Sequence, residues 1–177
     1  PREALDSGIG MVHQELNLAE NLTVTENLLL GREPRRGGLL DRATMRQEAK
    51  RALAQLHIAL NPDTLVAKLS TAQRQMVEIA RALSFNAQLL IFDEPTSSLS
   101  EEDGRLLLKV IMSLKAQGVA ILYVSHRLPE VQQISDRIVA LRDGRNSGTA
   151  VPPNISRNTL IQMIVGREIT DIYGYEA

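Results

Sequence analysis

Two nearly continuous apolar runs, at residues 88–92 and 119–124, constrain the fold of this 177-residue chain more than any other feature. Each run has the length of a strand, and its side chains are apolar at successive positions rather than at alternate ones. Strands of this kind are typical of parallel sheets that are buried between helices. A helical pattern at residues 100–117 separates the two runs and ends at Gly118. The pattern therefore predicts an α/β fold with a parallel sheet.

Apolar spacing and turn residues predict the other elements. The opening residues, 2–7, indicate the end of a helix that stops at Gly8. A loop is predicted at residues 33–38 because they contain one proline and two glycines. The remaining predictions are strands at residues 9–12, 137–142 and 145–151, and helices at residues 25–30, 41–56, 70–83 and 157–165.

The composition excludes several classes of protein. Twenty Lys and Arg against 21 Asp and Glu give a net charge of -1. This argues against a protein that mainly binds nucleic acid, because such proteins are basic. Two Phe, three Tyr and no Trp are too few for a base-stacking platform. The absence of Cys excludes disulfides, thiolate metal sites and Cys nucleophiles. No apolar run approaches the ~18 residues that span a bilayer, so the expected compartment is the cytoplasm.

Two adjacent acids, Asp93 and Glu94, follow the first apolar run and precede Pro95. One interpretation is a buried strand whose acidic end only leads into a turn. The other begins with the fact that open α/β sheets bind ligands at the carboxyl ends of their strands. Neighbouring side chains of an extended chain point to opposite sides, so one carboxylate can hold Mg²⁺ while the other contacts a water molecule.

Residues 70–73 contain a capping box, in which Ser70 is the N-cap and Gln73 reaches back to it. The helix that follows carries an apolar stripe, so these residues have a structural role. A capped helix start also presents free N–H groups and the positive end of the helix dipole, which suit a phosphate.

His126 comes two residues after the second apolar run. A single histidine is usually an ordinary surface residue. At the end of a buried strand, on the same sheet edge as the two acids if the strands are parallel, it is also able to donate a hydrogen bond to a phosphoryl oxygen.

Together, these motifs resemble the nucleotide-binding domain of an ABC transporter. The shared features are Leu-Ser-x-x-Gln before a helix, four apolar residues before Asp-Glu-Pro-Thr-Ser-Ser-Leu, and then Val-Ser-His. Their order and spacing match over nearly the whole chain. The resemblance implies a P-loop NTPase-type α/β fold, with a mostly parallel sheet, helices on both faces and a helical subdomain, that acts on ATP and Mg²⁺.

The resemblance also implies a role for each matching residue. Asp93 would bind Mg²⁺ through water, Glu94 would be the general base, and His126 would be the switch histidine. Gln14 matches the Q-loop glutamine, which senses Mg²⁺ and the membrane partner. The signature motif, which contacts ATP held by the opposite domain, would consist of Ser70, Thr71, Ala72 and Gln73, and the D-loop of Ser97, Ser98, Leu99 and Ser100.

A finer resemblance is to the carbohydrate-import class, which carries two nucleotide-binding domains on one chain. Residues 12–18, 75–83 and 93–99 resemble its first domain, and His126 is a residue that the second domain typically lacks. The resemblance implies a peripheral subunit on the cytoplasmic side of the bacterial inner membrane that drives monosaccharide uptake. Its partners would be membrane permease subunits, a second nucleotide-binding domain and, indirectly, a periplasmic sugar-binding protein, with no nucleic acid.

By the same resemblance, residues 1–166 form a partial nucleotide-binding domain and residues 167–177 lead toward a second one. Residues 19–83 would be the permease-facing helical part, and residues 84–166 the core that begins with the Asp-Glu strand. No Gly-x-x-x-x-Gly-Lys-Ser/Thr phosphate loop occurs in the sequence, and in this family that loop precedes the Q-loop. We therefore expect a domain truncated before the Q-loop, which alone neither binds ATP tightly nor hydrolyses it.

The chain departs from the family pattern at two motifs. Thr71 and Ala72 replace the two glycines of the usual signature, so that a methyl group stands where backbone approaches a phosphate. Ser100 stands where the D-loop usually has Asp.

Two other classes of function stay open from the sequence. One is a non-catalytic remnant that only packs against a partner. The other is an ABC-type ATPase of DNA repair, a class that normally carries long coiled coils or basic surfaces, whereas this sequence shows neither.

Overall fold

A computed structural model describes residues 3–4, 7–13, 17–85, 87–153 and 155–166 of the chain. The chain forms two compact units, one up to Val124 and the other from Ser125 onward. Gln14 and residues 167–177, for which the sequence makes predictions, lie outside the described residues.

The first unit contains both strands and helices, as the apolar pattern predicts. Its strands are β1 (Ile9–Val12), β2 (Arg35–Arg36), β3 (Leu39–Leu40), β4 (Leu89–Asp93) and β5 (Ala120–Val124). Its helices are α1 (Val24–Leu29), α2 (Arg42–Gln55), α3 (Thr71–Leu83) and α4 (Glu101–Ala116), and a short 3-10 helix covers Val66–Lys68.

A parallel sheet with β4 at its centre, between β1 and β5, forms the core of this unit. Val12, Leu90 and Phe92 lie on one face of the sheet and are fully buried. Helix α3 packs so closely on this face that a Cβ atom on Gly10 would lie 3.0 Å from the methyl carbon of Ala82. The parallel sheet that the two apolar runs predict is therefore confirmed.

The opposite face of the sheet is also apolar, but it is only partly covered. Met11, Leu122 and Val124 on this face are 43%, 51% and 48% exposed. Met11 and Leu122 lie in one row across the sheet, with Ile91 between them. Helices α3 and α4 both contact strands of the sheet and also contact each other, and they leave these three side chains partly exposed.

Side-chain caps fix where the helices begin. Thr23 and Glu26 form a capping box, so α1 begins one residue earlier than the apolar pattern predicts. Asp41 accepts a hydrogen bond from the Thr44 backbone N–H at 3.1 Å and starts α2 as predicted. These caps satisfy backbone donors that have no partner inside the helix.

The predicted loop at residues 33–38 is wrong in part. Arg35–Arg36 pairs with Leu39–Leu40 as an antiparallel hairpin. Gly37 and Gly38 have φ angles of +60° and +85°, which a two-residue turn of this kind requires. With only two residue pairs, the hairpin is too short to give a recognisable alternation in the sequence.

The second unit is built around another antiparallel hairpin. Its elements are α5 (Leu128–Ile134), β6 (Ile138–Arg142), β7 (Arg145–Ala150) and α6 (Arg157–Val165). The two strands pair across the turn at Asp143–Gly144, as the sequence predicts. Helix α6 contacts both strands. Helix α5 was not predicted, because seven residues give too little periodicity.

Candidate functional site

The two adjacent acids lie at the carboxyl edge of the parallel sheet. Asp93 is the last residue of β4 and Glu94 follows it, and both side chains are half-buried. The strands β1 and β5 run parallel to β4, so they end at the same edge. The Glu94 backbone N–H donates a hydrogen bond to the Val124 carbonyl at 2.9 Å. The acidic pair is therefore attached to the end of β5.

The backbone of Glu94 adopts an uncommon conformation. Its φ angle is +46°, in the left-handed region that residues other than glycine rarely occupy. The Glu94 carbonyl accepts hydrogen bonds from the Ser97 backbone N–H at 3.1 Å and from Ser97 Oγ at 2.9 Å. Strained residues held by their surroundings are found preferentially at functional sites. The conformation supports a functional hypothesis for Glu94.

The predicted D-loop follows directly after this turn. Ser97 and Ser98 are exposed, whereas Leu99 is buried. Ser100 is the N-cap of α4: its Oγ accepts a hydrogen bond from the Asp103 backbone N–H at 3.1 Å and donates one to Asp103 Oδ2 at 2.8 Å. A serine at this position therefore has a structural role as a helix cap.

The predicted signature motif forms the start of α3. The Gln73 backbone N–H donates to Ser70 Oγ at 3.2 Å, and the Ser70 backbone N–H donates to Gln73 Oε1 at 3.0 Å, so the predicted capping box is confirmed. Thr71 is exposed, whereas Ala72 is only 6% exposed. The methyl group of Ala72 is thus packed inside the chain and does not stand out from the helix start.

The structure places two of the predicted site residues, Asp93 and Glu94, next to each other at the end of β4. His126 is an exposed residue of the second unit, whereas Asp93 and Glu94 belong to the first. Gln14 lies outside the described residues. The convergence of Asp93, Glu94 and His126 on one bound triphosphate stays a prediction.

The donor atoms at the sheet edge fit Mg²⁺ that is bound together with a nucleotide. Among the described residues, no group of three or more His, Cys, Asp or Glu side chains is placed to hold a metal ion. Mg²⁺ keeps several water ligands and usually takes one or two carboxylates plus substrate phosphates. Asp93 offers such a carboxylate at the end of β4.

Sequence reasoning missed a buried carboxylate on α3, that of Glu78. Its side chain is 8% exposed, and its Oε1 accepts a hydrogen bond from the Asn17 backbone N–H at 2.8 Å. Its Oε2 is buried without a hydrogen-bond partner among the described residues. Burial raises the pKa of Glu78, and the Asn17 N–H, His13 and Arg81 oppose that increase. The only sequence signal was an acid within an otherwise apolar stretch of helix.

Glu78→Gln is expected to change how the stability of the chain depends on pH. A raised pKa means that the folded state binds the proton more tightly than the unfolded state, so this group lowers the free energy of unfolding as pH rises above 4.5. Glutamine does not titrate. The free energy of unfolding of the variant, relative to that of the wild type, should therefore increase with rising pH until the pH exceeds the pKa of Glu78 in the folded state. Urea unfolding of both proteins between about pH 4 and about pH 8 measures this, and a pH-independent difference would contradict it.

Residues 1–97, more than half of the chain, match the family described as ABC transporter. The chain belongs to the ABC transporter family. The family resemblance expected from the motifs is thereby confirmed.

The relatives within this family include sugar-import proteins. One relative is the putative ribose/galactose/methyl galactoside import ATP-binding protein 1 of Agrobacterium fabrum. It is 53% identical to this chain, over 97% of this chain and 34% of its own length. The galactose/methyl galactoside import ATP-binding protein MglA of Pasteurella multocida is 46% identical over 96% of this chain and 33% of its own length. The chain thus spans about a third of the length of the curated relatives it matches.

Solved ABC structures share the fold. A dimeric ATP-binding cassette in a post-hydrolysis state, bound to ADP and Pi, matches with a TM-score of 0.69 at 25% identity, over 87% of this chain and 68% of that chain. A nucleotide-free ATP-binding cassette from an ABC transporter matches with a TM-score of 0.72 at 23% identity, over 94% of this chain and 68% of that chain. The ABC ATPase fold is confirmed. In the described part of the chain, no helix combines the length and the apolar character needed to span a membrane.

Proposed function

We propose that this chain is part of an ATP-binding subunit that couples ATP hydrolysis to the import of a monosaccharide. The observation that carries the proposal is the acidic pair Asp93 and Glu94 at the carboxyl edge of a parallel sheet. The surrounding sequence is 53% and 46% identical to proteins named for ribose and galactose import. The sheet edge supports the reaction type, and the relatives support the substrate class.

The chemistry follows from what each side chain offers at the sheet edge. Bound ATP would supply the phosphoryl bond to be cleaved, and Mg²⁺ would neutralise part of its charge. Asp93 would hold Mg²⁺ through a water molecule. Glu94 would orient the attacking water and accept its proton at a carboxylate oxygen. His126 would donate a hydrogen bond to a phosphoryl oxygen, and Gln14 would sense Mg²⁺ and the permease.

A second nucleotide-binding domain would complete the site. The start of α3, with Ser70, Thr71, Ala72 and Gln73, would contact ATP held by that domain, since a helix N-terminus favours phosphate. The exposed position of Thr71 and the inward methyl of Ala72 are compatible with such a contact. Residues 97–100 would lie along the same interface as the D-loop.

The proposed organisation places residues 19–83 toward the permease and residues 84–166 in the nucleotide-binding core, with residues 167–177 leading to a second domain. The subunit would sit peripherally on the cytoplasmic side of the bacterial inner membrane. A periplasmic sugar-binding protein would act on it through the permease, and no nucleic acid is involved.

Reconstitution of the full-length polypeptide with its permease in liposomes tests the proposal. We expect a periplasmic binding protein loaded with ribose or galactose to stimulate ATP hydrolysis roughly tenfold, within the range of ordinary coupling energies. Binding protein without sugar is the control. Hydrolysis that ignores sugar, or that duplex DNA stimulates instead, would contradict the proposal.

A further inference from the structure

Two side chains of α3 hold the backbone of one residue, Asn17. Glu78 Oε1 accepts a hydrogen bond from the Asn17 N–H at 2.8 Å, and Arg81 Nη1 donates one to the Asn17 carbonyl at 3.2 Å. Glu78 and Arg81 are three residues apart on the helix, so they lie on the same side of it. Asn17 lies outside every helix and strand, so its backbone groups need partners from elsewhere, and α3 provides both.

Packing alone does not explain a carboxylate at this position. Glu78 is 8% exposed, and its Oε2 has no hydrogen-bond partner among the described residues. Burial of an incompletely paired carboxylate is unfavourable. The neighbours Val77 and Ile79 are fully buried apolar residues that serve the packing of the helix. The hydrogen bond from the Asn17 N–H offsets part of this cost.

Asn17 belongs to the stretch that follows the carboxyl end of β1 and leads to α1. Two residues further on, the Ala19 N–H donates to Asn27 Oδ1 at 2.8 Å, and Asn27 Nδ2 donates to the Ala19 carbonyl at 3.0 Å. Asn27 is a fully buried residue of α1. The stretch is therefore attached to α3 at Asn17 and to α1 at Ala19.

We propose that Glu78 and Arg81 are positioning residues that form a clamp on Asn17, so that residues 17–19 move together with α3. This inference rests on the proposed function, in which nucleotide binds at the carboxyl edge of the sheet and residues 19–83 face the permease. With the clamp closed, a displacement of residues 17–19 reaches α1 and α3 together. With the clamp open, residues 17–19 move without α3, and the signal between nucleotide and permease is weakened.

The test uses the full-length polypeptide reconstituted with its permease. Glu78→Ala removes the acceptor, and we expect it to lower sugar-stimulated ATP hydrolysis about fivefold or more, while the basal kcat and the KM for ATP change less than about twofold. Glu78→Gln keeps an oxygen that accepts from the Asn17 N–H, so it should retain at least about half of the stimulation. Lys109→Ala, at an exposed position on α4, is the control and should behave as the wild type.

A second variant covers the case in which Glu78→Ala fails to fold. The Arg81 side chain is partly exposed, so Arg81→Ala removes the bond to the Asn17 carbonyl without opening the core. We expect it to lower stimulation about twofold or more at unchanged KM. Stimulation at the wild-type level in both alanine variants would overturn the proposal. Basal and stimulated rates that fall in equal proportion, without rescue by Glu78→Gln, would overturn it as well.

Amide hydrogen exchange separates this inference from the proposed function. In the full-length protein, the Asn17 N–H should exchange about tenfold faster in Glu78→Ala than in the wild type, and at the wild-type rate in Lys109→Ala. A wild-type protein that does not hydrolyse ATP would refute the proposed function alone. The exchange rate at Asn17 would then decide by itself: faster exchange in Glu78→Ala supports the clamp, and unchanged exchange overturns it.

Discussion

Glu94→Gln in the full-length polypeptide is expected to lower ATP hydrolysis about 100-fold or more and to leave ATP binding within about twofold of the wild type. Glu94 follows β4 at the carboxyl edge of the sheet, and backbone hydrogen bonds to Val124 and Ser97 hold it in a left-handed conformation. An amide is able to occupy the same space but does not accept a proton. The loss should therefore appear in kcat rather than in the affinity for ATP.

The matched control is Glu102→Gln, the same chemical change at an exposed position in the first turn of α4. It should leave hydrolysis within about twofold of the wild type. Measurements of steady-state ATP hydrolysis and of equilibrium ATP binding on both variants test this prediction. Retention by Glu94→Gln of more than about a tenth of the wild-type rate would refute the role of Glu94 as general base.

Phe92→Ala is expected to lower the free energy of unfolding of the chain by about 3–5 kcal/mol. Phe92 is fully buried in the central strand of the sheet, directly before Asp93, and its ring lies 6.4 Å from that of Tyr123. Truncation leaves a cavity between strand and helices that rigid neighbours fill only in part. The loss is a large fraction of the stability of an ordinary domain.

Leu39→Ala provides the comparison for this substitution, because Leu39 is 77% exposed on the short hairpin. It should change the free energy of unfolding by less than about 0.5 kcal/mol. Urea unfolding followed by circular dichroism measures both variants. Equal losses at Phe92 and Leu39 would mean that β4 is not the centre of the core.

The sequence predicted the elements whose signals are local. Consecutive apolar residues indicated β4 and β5, the capping residue Ser70 marked the start of α3, and the helical pattern from residue 100 indicated α4. Parallel pairing followed from the run of apolar residues on both sides of the strands. The acids at residues 93 and 94 were placed at the sheet edge for the same reason, since they directly follow such a run.

Features that depend on tertiary contacts could not be predicted in this way. The left-handed backbone of Glu94 is held by partners at Val124 and Ser97, of which only Ser97 is near in sequence. The bond between Glu78 and Asn17 joins residues 61 positions apart, so no local pattern indicates it. The hairpin at residues 35–40 was not predicted for a different reason, because it is too short to show any periodicity in the sequence.

The most direct measurement is a structure of the full-length protein, in its closed state, with Mg²⁺ and a non-hydrolysable ATP analogue. We expect Asp93 to lie one water molecule from Mg²⁺, and we expect a Glu94 oxygen and a His126 nitrogen to lie within about 3.5 Å of the water or oxygens at the terminal phosphate. All three side chains would then serve one triphosphate. Side chains that face apart, with packed backbone between them and the nucleotide, would contradict the proposed ATPase site.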